Sequence, residues 1–484
     1  MVRAGAMLSC VSLLMTVAGA QVKDGVKPFV KEEAPVLVLN HVRVIDGTGA
    51  APMEDQRIDI ENGKITRVQS AKLRNAYPPN AKLLDLTGKT VMPGLVGMHE
   101  HLFYPTPGNG TPGYQQMYSE MADSAPRLYL AGGVTTARTT GSIEPYTDLA
   151  LKAAIDAGET PGPKLRITGP YLEGTPSLGP QLHSLNGPED AARTVDYWAD
   201  EGVTNYKAYM HITPEELKAV IDHAHARGLK ITGHLCSVGF TKAAELGIDD
   251  LEHGLVVDTE FSPGKKEGVC PGQRGPMQAM AKSLDVDGPE VQAMIRTLVE
   301  HHVAVTSTLA IFESFAPNRP PLAEEMAPKK AMATHAWSDF VTTRAEIAEH
   351  GESSNWPVLL KKEMQFERSF VKAGGLLLAG CDPTGYGGIL PGFGDQRGLE
   401  LLVEAGFTPV EAIHIATQNG ATYLGKQEHI GSIAAGHDAD LVVLERNPAA
   451  KIEDVEKVET VFKAGVGYDP AKLRASVAEM VGIR

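Results

Sequence analysis

Cysteine is scarce in this chain, with four in 484 residues, and Cys10 falls inside the first apolar stretch. The other three, Cys236, Cys270 and Cys381, are an odd number, which excludes a disulfide framework as the basis of the fold. Cys236 and Cys381 stand in strand-like runs and are expected as buried thiols. Cys270 stands in a loop, free or paired with a neighbour. Positive charge is also short: 45 Lys and Arg face 60 Asp and Glu, a net charge of -15. Such a chain lacks the basic surface that non-specific nucleic-acid binding needs, so nucleic acid is not an expected partner. The acidity otherwise reads as solubility. Past the N-terminus no run is long and apolar enough to cross a membrane.

What is present fits an ordinary globular protein: 43% of residues are hydrophobic, and Gly and Pro are spread throughout. The length suits one large domain plus a small one. The N-terminus reads as an export signal. Arg3 supplies a positive start, Ala4 to Val17 is apolar and rich in small residues, and Ala18-Gly19-Ala20 fits the small-x-small cleavage rule. Residues 1–20 are therefore expected as a signal peptide to the periplasm or the outside, followed by a polar linker over 21–35.

Both ends of the remaining chain are β-rich. Val36–Asn40, Val42–Gly47 and Arg57–Ile65 alternate apolar and polar residues, and Asn62-Gly63 is a strong hairpin signal. Strand-like runs return at Gly431–Ile433, Ala439–Leu444 and Val458–Phe462. These ends predict a small β-sandwich domain built from residues 36–90 and 426–470, with 471–484 as a tail. Between them short apolar runs alternate with helical periodicity. Eight strand candidates stand out: Val91–Met98, Val134–Thr140, Lys164–Gly169, Val203–Ala208, Leu229–Gly233, Ile248–Glu252, Val303–Leu309 and Gly375–Gly380. Thr213-Pro214-Glu215-Glu216 opens one of the helices with a cap residue and a first-turn proline. The fold class is α/β, with a (β/α)8 TIM-like barrel over 91–425, and a doubly wound open sheet is the alternative. Two connections, Val256–His301 and Ala310–Lys372, are long enough to be functional loops or lids, or alternatively decoration or an oligomer contact.

The residues that end these runs carry the chemistry. His99-Glu100-His101 closes the first, and positions i and i+2 of a strand face one side, so both imidazoles reach one ion. Alone, such a pair is a weak metal signal. Lys207, His234, His253 and Asp382 each end or follow a later run. Singly, the lysine is a solvated charge and each histidine a core residue. A carboxylate after Leu376–Cys381, however, is costly unless paired or metal-bound. Together they point to a metal centre of imidazole nitrogen and carboxylate oxygen, suited to Zn²⁺, with Mn²⁺, Co²⁺ or Ni²⁺ also compatible. A lysine whose amine has reacted with carbon dioxide would add an anionic bridging ligand. Strand alternation sends Glu252 away from His253, towards the helices.

These motifs carry a resemblance. Arg43–Gly49, Met92–His101, Gly233-His234-Leu235, Leu251-Glu252-His253-Gly254 and Gly436–Leu444 resemble the signatures of the amidohydrolase superfamily, in its branch with two metals and a carboxylated lysine. The pattern is similar to imidazolonepropionase-like and prolidase-like members. The resemblance implies that His99, His101 and Asp382 hold one divalent ion, that His234 and His253 hold the other, and that carboxylated Lys207 bridges them. It implies Asp382 as the residue that orients the attacking water and moves its proton. His183, in the loop after the third strand, and Tyr209, two residues past Lys207, are further catalytic or substrate-contacting candidates, each equally readable as loop structure. Prolidase-like relatives have a longer loop after the lysine strand, whereas here Tyr209–Thr213 runs straight into a helix. The implied activity is hydrolysis of an amide bond in a dipeptide or N-acyl amino acid. A cyclic-amide hydrolase, a deaminase and a degenerate barrel acting as a binding scaffold are the alternatives. The expected partner is a small-molecule amide or peptide substrate, and a homo-oligomer is compatible with the architecture.

Overall fold

The structure is a computed structural model and describes residues 22–105, 117–272, 274–321 and 326–482. The expected signal segment thus lies outside the described residues. The fold is mixed α/β. Its parallel strands are β1 (Leu95–Glu100), β2 (Val134–Thr139), β3 (Lys164–Arg166 and Thr168–Glu173), β4 (Asn205–Ala208), β5 (Lys230–Gly233), β6 (Asp250–Glu252), β7 (Ala304–Ser307) and β8 (Leu377–Ala379). The first half of β3 pairs with β2 and β2 with β1, all parallel. The second half of β3 continues the order through β4, β5, β6 and β7 to β8, again parallel. These strands are almost wholly buried, as parallel strands covered on both faces must be. The Asp382 amide donates to the His99 carbonyl at 3.0 Å, which brings the end of β8 against β1. Gly380 permits that approach, since a Cβ there would sit 2.3 Å from the His99 nitrogen.

The helices that follow the strands are α1 (Ser124–Gly132), α2 (Pro145–Asp156), α3 (Pro188–Glu201), α4 (Pro214–Ala226), α5 (Phe240–Leu246), α6 (Pro289–Glu300), α7 (Trp356–Lys372) and α8 (Phe393–Glu404). The cap read before α4 is present as a full capping box between Thr213 and Glu216. The inner faces of α3 to α7 pack on the outer residues of the strands in one large apolar core that includes Val195, Leu217, Val220, Ile295 and Phe366.

A second sheet of nine strands draws on both chain ends. Thr90–Pro93 lies at its centre between Leu441–Leu444 and Val36–Val44. The Asn62-Gly63 hairpin forms as read, with both residues at positive φ (48° and 79°). Its own core holds Leu37, Leu39, Ile58, Ile60, Leu441 and Phe462.

Several boundaries differ from the sequence reading. The run Val91–Met98 is two strands, because Gly94 packs its backbone onto Thr135 and hands the chain from the small sheet to β1. Residues of the expected linker form an edge strand, Val30–Glu32, paired with Val466–Tyr468, and Val26 is buried with Leu130 and Tyr468. The expected tail starts a short helix, Pro470–Ala475, and its Val477 and Val481 pack against Tyr104 and Phe340. In both places a few apolar residues in a polar stretch are enough to dock it. Cys381 is the expected buried thiol. Cys236 is not: it forms a disulfide with Cys270 across 34 residues of sequence. Only the fold brings the loop after β6 back over the end of β5, where Lys265 Nζ also donates to the Cys236 and Ser237 carbonyls at 2.7 and 2.6 Å.

Candidate metal centre

The ends of β1, β4, β5, β6 and β8 converge on one cluster. Asp382 Oδ1 lies 3.6 Å from His99 Nε2 and 3.4 Å from His101 Nε2. Asp382 Oδ2 lies 3.7 Å from His253 Nδ1. The His99 and His253 rings are 4.6 Å apart, and those of His253 and His234 are 4.5 Å apart. Lys207 is 1% exposed, and its charge acts on all four imidazoles and on Asp382. The six residues read as metal ligands from the sequence therefore lie together. Ligand atoms of His99, His253 and Asp382 fall within 4.8 Å of one another, a spacing one ion can span.

Burial sets the protonation states. It pushes His234 down to about 3 and drives His99 and His253 well below the ordinary histidine value, so these rings are neutral and can donate lone pairs. Burial also brings Lys207 down to about 8, which leaves a neutral amine within reach near physiological pH. Burial would raise Asp382, but His99, His101 and Lys207 outweigh it and hold the carboxyl below its usual range. Neutral imidazoles, an ionised carboxylate and a lysine able to shed its proton are a donor set that fits divalent ions.

Behind the cluster lies a network that strand alternation misassigned. Glu252 Oε2 is 2.6 Å from His99 Nδ1, and Glu252 Oε1 accepts from Arg138 at 2.8 Å. Arg138 also pairs with Asp250 at 2.8 Å and donates to the Met98 carbonyl at 2.7 Å. Asp250 and Glu252 both face inward while Leu251 joins the outer core. His253 joins the inward side because its backbone is left-handed, with φ 70°. That single dihedral breaks the alternation on which the expected outward Glu252 rested. Asp382 is left-handed too, with φ 48°. Such conformations in residues other than glycine concentrate at functional sites. The Nδ1 of His253 meets Thr308 Oγ1 at 2.8 Å, and with His99 Nδ1 held by Glu252, both rings keep Nε2 for a metal. A lone charge, Arg138, inside the fully buried strand Val134–Thr139 was the one sequence signal for this network.

Aromatic rings wall the cluster. Phe103 stacks on His101 at 4.4 Å and meets Tyr118 at 4.8 Å. Tyr171 lies 4.9 Å from Tyr209, which lies 5.2 Å from His234. Burial raises the hydroxyls of Tyr118, Tyr171 and Tyr209, with Asp382 adding to it, so all three are protonated donors. Tyr209 is thus beside the cluster. His183 is placed elsewhere: it is on the two-residue strand His183–Ser184, 41% exposed at the side chain, with its ring on Thr194 Oγ1 of α3 at 3.2 Å. On the opposite face of β1, Glu100 meets the Cys381 thiol at 3.0 Å beside Asp395. Burial raises both carboxyls, Glu100 well above its ordinary value.

Over residues 90–466 the chain matches the amidohydrolase family, and it belongs to that family. Among characterised proteins it is similar to ochratoxinase from Aspergillus niger, 24% identical over 264 residues, or 53% of this chain and 42% of that one. It is also similar to dihydroorotase from Syntrophus aciditrophicus, 34% identical over 114 residues, 23% of this chain and 24% of that one. The matches thus span less than half the length of these relatives. A solved structure of a putative prolidase from Bifidobacterium longum is 27% identical, with a TM-score of 0.64 over 89% of this chain and 94% of that one. A Xaa-Pro dipeptidase with bound methionine is 20% identical, with a TM-score of 0.66 over 90% of this chain and 100% of that one, a likeness of fold.

Proposed function

We propose that this member of the amidohydrolase family is a two-metal hydrolase that cleaves the amide bond of a dipeptide or N-acyl amino acid. The observation that carries the reading is the convergence of His99, His101, His234, His253, Lys207 and Asp382 from five strand ends into one cluster, all buried but His234, with imidazoles shifted towards the neutral form. In this reading the parallel strands close as a (β/α)8 barrel over 91–425, and the nine-stranded sheet folds as a sandwich from 36–90 and 426–470. His99, His101 and Asp382 would hold one ion, His234 and His253 the other, and carboxylated Lys207 would bridge them. The donor set favours Zn²⁺, with Mn²⁺, Co²⁺ or Ni²⁺ as substitutes. Bound ions would acidify a water and polarise the scissile carbonyl. Asp382, ionised and central in the cluster, would orient that water, take its proton and pass it to the leaving amine. Glu252 keeps His99 in one tautomer. Tyr209, Tyr171 and Tyr118 supply hydroxyl donors and an apolar wall for the substrate.

The prolidase and dipeptidase among similar structures support a dipeptide substrate. The dihydroorotase match supports a cyclic amide as the second reading. Export is our proposal for location. It rests on the N-terminal signal pattern and agrees with the Cys236–Cys270 disulfide, a bond that persists in oxidising compartments. Metal-reconstituted protein should be screened against dipeptides, N-acyl amino acids and cyclic amides beside Asp382→Asn. Amine release lost in the variant is the expected result. Ammonia release would replace the reading with a deaminase, and absence of bound metal would replace it with a scaffold.

A further inference from the structure

We infer that the long connection between β7 and β8 positions the metal ligand His253, through Glu363 of α7. The inference rests on the metal reading above. His253 and Gly254 are consecutive left-handed residues, with φ 70° and 75°, directly after β6. The His253 amide still reaches the Thr306 carbonyl of β7, but past this turn the Leu255 and Val256 amides leave the strand ladder and need an acceptor. Glu363 is that acceptor: its Oε2 receives the Val256 amide at 2.8 Å, and the Leu255 amide also bonds this carboxylate. Its Oε1 is seated on Gly254 so closely that a Cβ there would lie 2.0 Å away. One helical turn further along α7, Glu367 faces Ser307. Ser307 precedes Thr308, whose hydroxyl is 2.8 Å from His253 Nδ1. The helix that holds the main-chain turn through Glu363 therefore also lies against the strand end whose Thr308 meets the ring.

Plain helix packing would be met here by an apolar side chain. Instead both glutamates are fully buried, and Glu363 Oε1 has no hydrogen-bond partner among the described residues. Burying a carboxyl in this way is costly, and Leu or Met at 363 would avoid the cost. What an apolar residue cannot do is accept the turn's amides. Glu363 is thus a positioning residue that acts on the metal through His253.

The test uses the purified metal-free protein, titrated with Zn²⁺ against a chromophoric chelator, with the absorption spectrum of the Co²⁺ form recorded alongside. Glu363→Met keeps volume and removes the acceptor, whereas Glu363→Gln keeps an acceptor oxygen. The expected result is at least tenfold weaker binding of one ion and an altered cobalt spectrum in Glu363→Met, with Glu363→Gln within about threefold of wild type. Wild-type affinity and spectrum in Glu363→Met overturn the inference, whatever happens to the melting temperature. Glu363→Gln as damaged as Glu363→Met overturns it as well. If the methionine variant does not fold, Thr308→Val reads the other support, and unchanged zinc affinity there is equally contrary. A wild-type protein that binds no zinc overturns the metal reading itself, a result distinct from the others.

Discussion

Replacing Glu252 by Gln isolates the role of a charge that touches the proposed ligand His99 without belonging to the proposed ligand set. The carboxylate stands between His99 Nδ1 at 2.6 Å and Arg138 at 2.8 Å, with all three side chains at most 1% exposed. The amide preserves shape but accepts from only one of the two neighbours, so its NH2 faces the other donor and a hydrogen bond is lost with the charge. Breaking a buried ion pair costs about 3–5 kcal/mol when one charge is left uncompensated. Asp250 remains on Arg138 at 2.8 Å, so the smaller end applies, about 3 kcal/mol of folding stability. The imidazole also loses the anion that makes it a stronger donor, a change typically worth about 10–100-fold in metal affinity. In free energy that is about 1.4–2.8 kcal/mol. Urea unfolding of the metal-free protein reads the first quantity, and competitive zinc titration the second. A variant that binds zinc within about threefold of wild type and unfolds at the same urea concentration refutes the assigned network.

Two further outcomes follow from features away from the ligands. Reduction of Cys236–Cys270, or Cys270→Ser, frees a loop of 34 residues, which in the chain-entropy relation lowers stability by up to about 4 kcal/mol. An unchanged denaturation midpoint with and without reductant would count against it. Burial pushes Glu367 up to about 8 from its ordinary 4.5, with Ser307 opposing. A carboxyl raised on folding contributes stability that is complete below the unfolded value and is lost as pH rises through the folded one. Between about pH 4.5 and 8, wild-type stability should therefore fall more steeply than that of Glu367→Gln, which cannot ionise, and parallel profiles would refute the assignment.

The sequence by itself determined the alternation of parallel strands and helices and the residue types at the strand ends. Both follow from local rules: apolar runs of strand length, helix caps such as Thr213, and polar residues placed where an apolar run stops. It also determined the sharp hairpin at Asn62-Gly63, because only a few residue pairs accept two positive φ values. Only the tertiary structure decided the partners of those residues. Glu252 reads as an outward residue by alternation, and becomes the support of His99 because His253 adopts a left-handed backbone that no periodicity encodes. Arg138, Thr308 and Glu363 lie 39, 55 and 110 residues from the proposed ligands they support, and only Arg138, a charge inside a buried strand, is marked locally. Cys236 and Cys270 are likewise joined by the path of a loop, not by their spacing. The same holds for residues 26–32 and 477–481, short segments whose few apolar side chains have a core to join only in the assembled fold. Local propensity acts over a few residues, whereas burial and hydrogen-bond satisfaction act between any residues the fold brings together, which is why the residues of the proposed cluster were legible and the partners behind them largely were not.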